Sequence, residues 1–511
     1  MTNHRRVLTL ITGAATAVVL AVSASPASGA AGPGAPGIGD PYYPNYGNGG
    51  YDVAHYDLKV RYQPDTDDLT GVATIHAKAT QDLSRFNLDL IGLTVREITV
   101  NGKDATWTRQ STQELVITPK KSIKKGGDIE AVVRYDGRPT ETVEPPGVTF
   151  DPWFKTPDGV MAVGEPEIAA WWFPSNDHPR DKATYDMAVT VPSGTEAIAN
   201  GKMRGTSSGG GLTTWKWREN RPMMTYLAFM AIGQFDISTG VTDSGIPFLN
   251  GVSTRLAQPA RGFAEASIAK TPEILDFEAQ TYGAYPFTTT GNVITADEFG
   301  FALENQSRPT YDWRFFRNRP NEFVVVHEQA HQWFGDSVGV ENWRDIWLNE
   351  GFATYTEWLW SEHTGQGTAQ EIFDATYAGI PADDPFWTVI IGDPGVEFLF
   401  DGAVYDRGAM TLHALRTEIG DPAFFTVMRK WYKQHKNGNG SVQQFMALAE
   451  RESGQDLGAL FQAWLFTGTK PAATSSTGVA TSAATASRTG DVKAPKSFSK
   501  IREASTHRAP K

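Results

Sequence analysis

VHEQAHQWFGDSVGVENWRDIWLNEGFATYTEWLW, residues 326–360, is the stretch around which the rest of the chain can be read. It holds His327, Glu328 and His331 in an H-E-x-x-H arrangement, with Glu350 nineteen positions after the second histidine. Residues four apart on a helix stand one above the other, so His327 and His331 can offer two imidazole nitrogens to one metal ion. Glu328 projects close to that face and can reach a metal-bound water without being a ligand itself. A second helix carrying Glu350 completes three protein ligands and leaves a fourth position open, which separates catalytic from structural zinc sites. An isolated H-E-x-x-H also arises by chance on polar helices. The context of Glu350 argues otherwise: WLNEGFATYTEWLW carries apolar and aromatic residues at helical spacing, so this acid is expected on a largely buried helix. Carboxylates are rarely buried without a charge partner or a metal. One zinc ion on His327, His331 and Glu350 is therefore expected, with Glu328 as general base.

The chain has 511 residues, 40% of them hydrophobic, enough for two or three domains with cores of their own. It contains no cysteine, which excludes disulfides, thiolate nucleophiles and cysteine zinc ligands. A formal charge of −12 argues against nucleic acid as a partner. Residues 1–30 have the pattern of a bacterial export signal: His4, Arg5 and Arg6, an apolar run over residues 7–22, then small residues with Ala24, Ala27 or Ala30 ending a cleavage site. The run is short for a membrane span, so secretion without stable membrane insertion is expected.

Residues 31–50 are rich in Gly, Pro, Tyr and Asn and read as a linker or surface arm. Residues 51–240 read as strands. Tyr56, Leu58, Val60 and Tyr62 alternate with charged residues, Ala73, Ile75 and Ala77 with Thr74, His76 and Lys78, and Phe86, Leu88 and Leu90 with Asn87 and Asp89. Turns at Asn101-Gly102, Gly126-Gly127 and Asp136-Gly137 suggest an antiparallel sandwich or saddle. Trp171 and Trp172 suit core packing better than a sugar platform. Residues 241–470 read as mainly helical. A helix over 260–282 ends at Gly283, a short strand spans 292–296, Asn321 caps the His327 helix, and another helix over 403–419 ends at Gly420. Residues 471–511 are an Ala/Ser/Thr-rich tail with Lys493, Lys496, Lys500, Arg502, Arg508 and Lys511, expected to be disordered. The fold class is α+β and multidomain.

Over roughly residues 45–470 the chain resembles the aminopeptidase N family of zinc peptidases. Besides the zinc motif, the likeness rests on WFPSNDHPRDKA at 172–183, TYLAFMAIGQF at 225–235, AYPF at 284–287, FALEN at 301–305 and VYDRGA at 404–409. The resemblance implies a β-domain followed by a mainly helical, thermolysin-like catalytic domain, and removal of amino-terminal residues from peptides. FALEN corresponds to the family's G-x-M-E-N exopeptidase motif, which places Ala302, Glu304 and Asn305 at the substrate, Glu304 binding its free α-ammonium group. Tyr405 matches the tyrosine that stabilises the tetrahedral intermediate, a neutral donor to a developing oxyanion. Three features depart from the pattern. Phe301 and Leu303 replace glycine and methionine; the family's β-domain glutamine falls at Val163, with Glu165 as a possible substitute; and the C-terminal helical domain of longer members is expected to be absent, leaving a more open cleft.

Three other readings compete. A zinc endopeptidase on the same scaffold needs no anchor for a free amine, and Glu304 counts against it. A hydrolase of another small substrate has no positive support among these residues. A secreted binding protein with a degenerate site is disfavoured by the intact ligands and Glu328. The sequence leaves the oligomeric state open.

Overall fold

A computed structural model of the chain describes residues 31–142, 152–472, 474, 477–479 and 494–505. The expected export signal, residues 1–30, lies outside them. Among the described residues no helix is long and apolar enough to cross a membrane.

The first half is built on an eight-stranded sheet whose centre is the pair Tyr51–Gln63 and Asp68–Ala79. The expected alternation holds there: Tyr56, Leu58, Val60 and Tyr62 are buried while Lys59 and Arg61 face solvent. Asn101 and Gly102 both take positive φ, 51° and 69°, the conformation that closes a two-residue hairpin between Thr94–Val100 and Lys103–Asp104. The sheet is not purely antiparallel as expected. Tyr51–Gln63 runs parallel to Ala183–Pro192, because the chain leaves the sheet after Asp128–Gly137 and returns only through a long connection. That connection carries residues 152–182, including Glu165, and Trp171 and Trp172 are fully buried in the core.

Alternation fails in Leu83–Asp89, where Asn87 and Asp89 are buried beside Phe86 and Leu88. They are polar but partnered: Asn87 donates to Glu114 at 2.7 Å, and the Asp89 carboxylate accepts from the Asn48 amide at 3.0 Å and the Asp177 N–H at 2.9 Å. This network fastens residues 31–50 to the β-domain. Those residues form an arm, with Gly32–Pro33 pairing alongside Leu83–Asp89 and Asp40 and Asn48 buried.

The second half begins with a five-stranded sheet ordered Phe235–Val241, Pro247–Ser253, Thr290–Ile294, Thr310–Tyr311, Ala302–Leu303. Because Phe235–Val241 pairs with Pro247–Ser253, it belongs to this sheet, and the changeover precedes the expected boundary at residue 240. The helix expected over 260–282 is two, Ala260–Ile268 and Thr271–Tyr282. Pro272 explains the break, since proline has no N–H and its ring collides with the carbonyl four residues back. Gly283 does end the second helix, at φ 121°.

Two long buried helices, Trp347–His363 and Gly402–Ile419, cross at a pair of glycines. A Cβ on Gly351 would lie 2.9 Å from the Gly408 Cα, and one on Gly408 would lie 2.7 Å from the Gly351 Cα. Only two residues without side chains allow backbones this close.

The tail departs from the expected disorder in its described part. Phe498–Ser505 is a helix, with Ile501 and Ala504 buried against the catalytic domain. Its basic residues meet acids of that domain: Lys500 lies 3.7 Å from Glu322 and Arg502 3.3 Å from Asp406, while Glu503 faces Arg319 at 2.6 Å. The tail's average composition hides this short amphipathic segment with apolar residues three apart. Burying an isoleucine is worth about 1.5–3 kcal/mol. Ile501→Asp is expected to release the helix, lowering the thermal midpoint and speeding proteolytic removal of the C-terminus; an unchanged midpoint and cleavage rate would show that the helix is not held this way.

Candidate active site

His327 lies on the helix Glu322–Ala330, which Asn321 caps by accepting from the Phe323 N–H at 3.2 Å. Its run Val324-Val325-Val326 is β-branched and poorly suited to a helix, but every residue from Phe323 to Ala330 is buried, so tertiary packing decides the conformation. His331 closes the helix. Gly335 turns the chain away with φ 134°, and a Cβ there would come within 2.9 Å of the His331 Nδ1.

The two imidazoles present their Nε2 atoms to one carboxylate. Glu350 Oε2 lies 3.3 Å from His327 Nε2 and 3.4 Å from His331 Nε2, and the three donor atoms fall within 4.8 Å of one another. The opposite nitrogens are already engaged: His327 Nδ1 is 2.8 Å from Glu357 Oε1, and His331 Nδ1 is 3.0 Å from the Phe334 carbonyl. Acceptors at both Nδ1 atoms hold a proton there, so that a metal taking the place of any Nε2 proton would find both Nε2 lone pairs turned toward it. Glu357 is a residue the sequence reading missed. Its signal was present, since it follows Glu350 by seven positions, two helical turns on the same face.

The remaining predicted residues, Asn305 apart, gather around this group. Glu304, Glu328 and His331 have donor atoms within 4.8 Å of one another. The pocket is lined by Glu165, Phe301, Ala302, Leu303, Glu304, His327, Glu328, His331, Glu350, Phe400 and Tyr405. The Tyr405 ring lies near-parallel to His327, centroids 6.0 Å apart and planes at 24°. The Gly351–Gly408 crossing places it there, since Glu350 and Tyr405 lie one and three residues from the touching glycines.

Glu304 is held from the β-domain, the Tyr226 hydroxyl donating to its Oε1 at 2.8 Å. Tyr226 in turn packs edge-on against Trp343. Asn305 does not line the pocket. It is fully buried, its amide donating to the Leu227 carbonyl at 3.1 Å and accepting from Thr310 Oγ1 at 2.9 Å, so it fixes the segment just after the strand Ala302–Leu303, where Glu304 lies. Lys182, from the β-domain, caps the turn after His331 by donating to the carbonyls of Asp336, Ser337 and Gly438 at 3.0, 3.1 and 2.6 Å. Phe301 packs edge-on against Phe299 and Phe154, so the bulky replacement lies in an aromatic wall.

Electrostatically the pocket is short of positive charge. Four carboxylates, of Glu165, Glu304, Glu328 and Glu350, line it with no lysine or arginine. Burial, then the charges of Glu304, Glu350 and Glu328, push the Glu165 carboxyl well above the usual range. Burial alone would lower the His331 pKa, but Glu350 and Glu304 raise it to about 10. Burial alone would raise that of Glu350, but His331 and His327 hold it at about 2. A divalent cation between the two Nε2 atoms and Glu350 supplies the missing charge. Two imidazoles and a carboxylate with an open fourth side are the donor set of catalytic zinc.

Comparison with known proteins agrees with this geometry. Residues 53–227 match the peptidase M1 N-terminal domain and residues 267–464 the peptidase family M1 domain. The chain belongs to the M1 peptidase family. It is 28% identical over 444 residues to aminopeptidase N of Lactobacillus delbrueckii subsp. lactis, covering 80% of this chain and 50% of that protein. It is 27% identical over 434 residues to aminopeptidase N of Streptomyces lividans, covering 78% and 49%. The chain thus spans about half the length of these relatives. The M1 zinc metallopeptidase of Deinococcus radiodurans superposes with a TM-score of 0.76 at 28% identity, covering 85% of this chain and 99% of that one. The two-domain M1 fold and a zinc cofactor follow from the family and the donor set together.

Two measurements test the frame of the site. Removing an outer partner of a ligating histidine weakens metal binding about 10–100-fold, so Glu357→Gln should do so in competition with a chelator, at unchanged circular dichroism. Gly351→Ala forces a methyl against the Gly408 backbone, an overpacking cost of about 1–3 kcal/mol. It should lower the thermal midpoint and zinc affinity together; retention of both would mean that the crossing is looser than described.

Proposed function

We propose that the chain is a secreted zinc aminopeptidase that removes single residues from the free amino terminus of peptides. The observation that carries this reading is the Glu304 carboxylate, braced by Tyr226 and within 4.8 Å of donor atoms on Glu328 and His331. An anion so close to the metal position leaves room for one residue between a substrate's ammonium group and the bond that is cut. Glu165 adds a second acceptor on the same wall.

Bound by His327, His331 and Glu350, zinc would polarise the first peptide carbonyl and lower the pKa of water to about 7. Glu328 takes the proton from the attacking water and delivers it to the leaving amine. The Tyr405 phenol, buried beside His327, donates a hydrogen bond to the oxygen on which negative charge develops. Glu304 keeps the substrate in register, so the attack is effectively intramolecular. Phe301 and Phe400, which line the pocket, favour large apolar first residues. A point mutant of the Deinococcus relative has been solved with a Tyr-Ser-Ala substrate, and a two-domain M1 zinc metallopeptidase mutant with L-tryptophan and with L-arginine. Export rests on the charged start and apolar run of residues 1–30.

Paired aminoacyl-naphthylamides, free and acetylated at nitrogen, test the reading. Cleavage is expected of free amines only, abolished by a chelator and restored by zinc. Glu304→Gln should cripple it, and Glu328→Gln should lower kcat by about 10²–10⁴. Loss of the oxyanion donor in Tyr405→Phe should cost about 10²–10³. Equal cleavage of acetylated substrates would sink the anchor role of Glu304 and favour an endopeptidase.

A further inference from the structure

The N-terminal arm reaches the pocket wall through one hydroxyl. Phe400, which lines the pocket, lies in the connection of residues 392–401 that leads into the Tyr405 helix. This loop exposes Val396 and Phe398. At its base the Gly392 N–H donates to the Leu465 carbonyl at 2.9 Å; within it two turn bonds are long, 3.3 Å from the Phe398 N–H to Gly395 and 3.5 Å from the Leu399 N–H to Val396, while the Asp401 N–H meets the Phe398 carbonyl at 3.1 Å and the Leu399 side chain is buried. The Tyr42 hydroxyl ties its middle. It accepts from the Gly395 N–H at 2.7 Å and donates to Asp393 Oδ1 at 2.5 Å, bridging two points of the turn from 353 and 351 residues away.

Tyr42 is itself firmly held. The fully buried Asp40 carboxylate accepts from the N–H groups of Tyr42 at 2.8 Å, Tyr43 at 3.1 Å and Trp343 at 2.9 Å, and meets His178 Nε2 at 3.1 Å. Arg180 donates to the Ile38 carbonyl at 2.9 Å and to the Glu341 carbonyl at 2.7 Å. The arm is therefore fastened to both domains, and the loop, anchored at its two ends, is tied in its middle by Tyr42.

We propose that Tyr42 is a positioning residue for the pocket that receives the substrate's first side chain: through Asp393 and Gly395 it holds Phe400 in the pocket wall. The tether stands on its own geometry; its effect on selectivity rests on the aminopeptidase reading. Tyr42 also precedes the matched residues 53–227, so the arm tunes the pocket from outside the family-matched regions.

Tyr42→Phe keeps the ring and removes only the hydroxyl. Chymotryptic cleavage after Phe398 should accelerate, and KM for a phenylalanyl substrate should rise about 5–30-fold, the worth of one to both of the hydrogen bonds lost. The kcat, the KM for an alanyl substrate and the thermal midpoint should stay within error of wild type. Unchanged cleavage after Phe398 overturns the tether. Faster cleavage with both KM values unchanged, or raised equally, overturns the positioning role, as does a fall in kcat with a lower midpoint. If the wild-type protein cleaves no aminoacyl substrate, the aminopeptidase reading fails separately. The proposal is then decided by the proteolysis rate together with calorimetric affinity for L-tryptophan, which Tyr42→Phe must weaken for it to survive.

Discussion

A carboxylate taken out of water must be given positive charge or a proton, and the active site is organised by that requirement. Glu350 is buried within reach of two imidazoles whose far nitrogens are held by Glu357 and the Phe334 carbonyl. Glu165, Glu304 and Glu328 share the same pocket, with no lysine or arginine in its lining. Replacing these acids by apolar residues would cost little in stability, since buried charges contribute little net folding energy. Their concentration is a functional arrangement: a divalent cation would satisfy it on one side and, on the proposed reading, a substrate ammonium group on the other.

Positioning those charges depends on backbone contacts more than on the acids themselves. Gly351 and Gly408 let two helices approach until Glu350 and Tyr405 face the same space. Tyr226 and Lys182 reach over from the β-domain, one to Glu304 and the other to the turn after His331, so the pocket is shared between the two halves of the chain.

Much of this was legible in the sequence. The H-E-x-x-H spacing puts His327 and His331 on one face because helical periodicity fixes which side chains share it; the buried context of Glu350 and the resemblance of FALEN to an exopeptidase motif pointed to the same pocket. Less legible were contacts set by distant parts of the chain. Nothing local in Tyr226, Lys182 or Tyr42 marks its partner, 78, 154 and 351 residues away respectively. Asn305 was read as a substrate contact from the resemblance of FALEN to the family's exopeptidase motif, and its amide here bonds Leu227 and Thr310. Composition misled at the tail: the average over residues 471–511 is that of a disordered segment, but eight of its residues, Phe498–Ser505, carry enough apolar spacing to dock. The parallel pairing of Tyr51–Gln63 with Ala183–Pro192 was hidden for a different reason, since alternation reports which face is buried and not which way a neighbour runs.

The most direct test of the account is diffraction at the zinc absorption edge from crystals soaked with L-tryptophan. A single anomalous peak is expected between His327 Nε2, His331 Nε2 and Glu350, with the ligand's ammonium group on Glu304. A peak elsewhere, or an ammonium group turned away from Glu304, would contradict the assignment of the metal and the anchor to this one pocket.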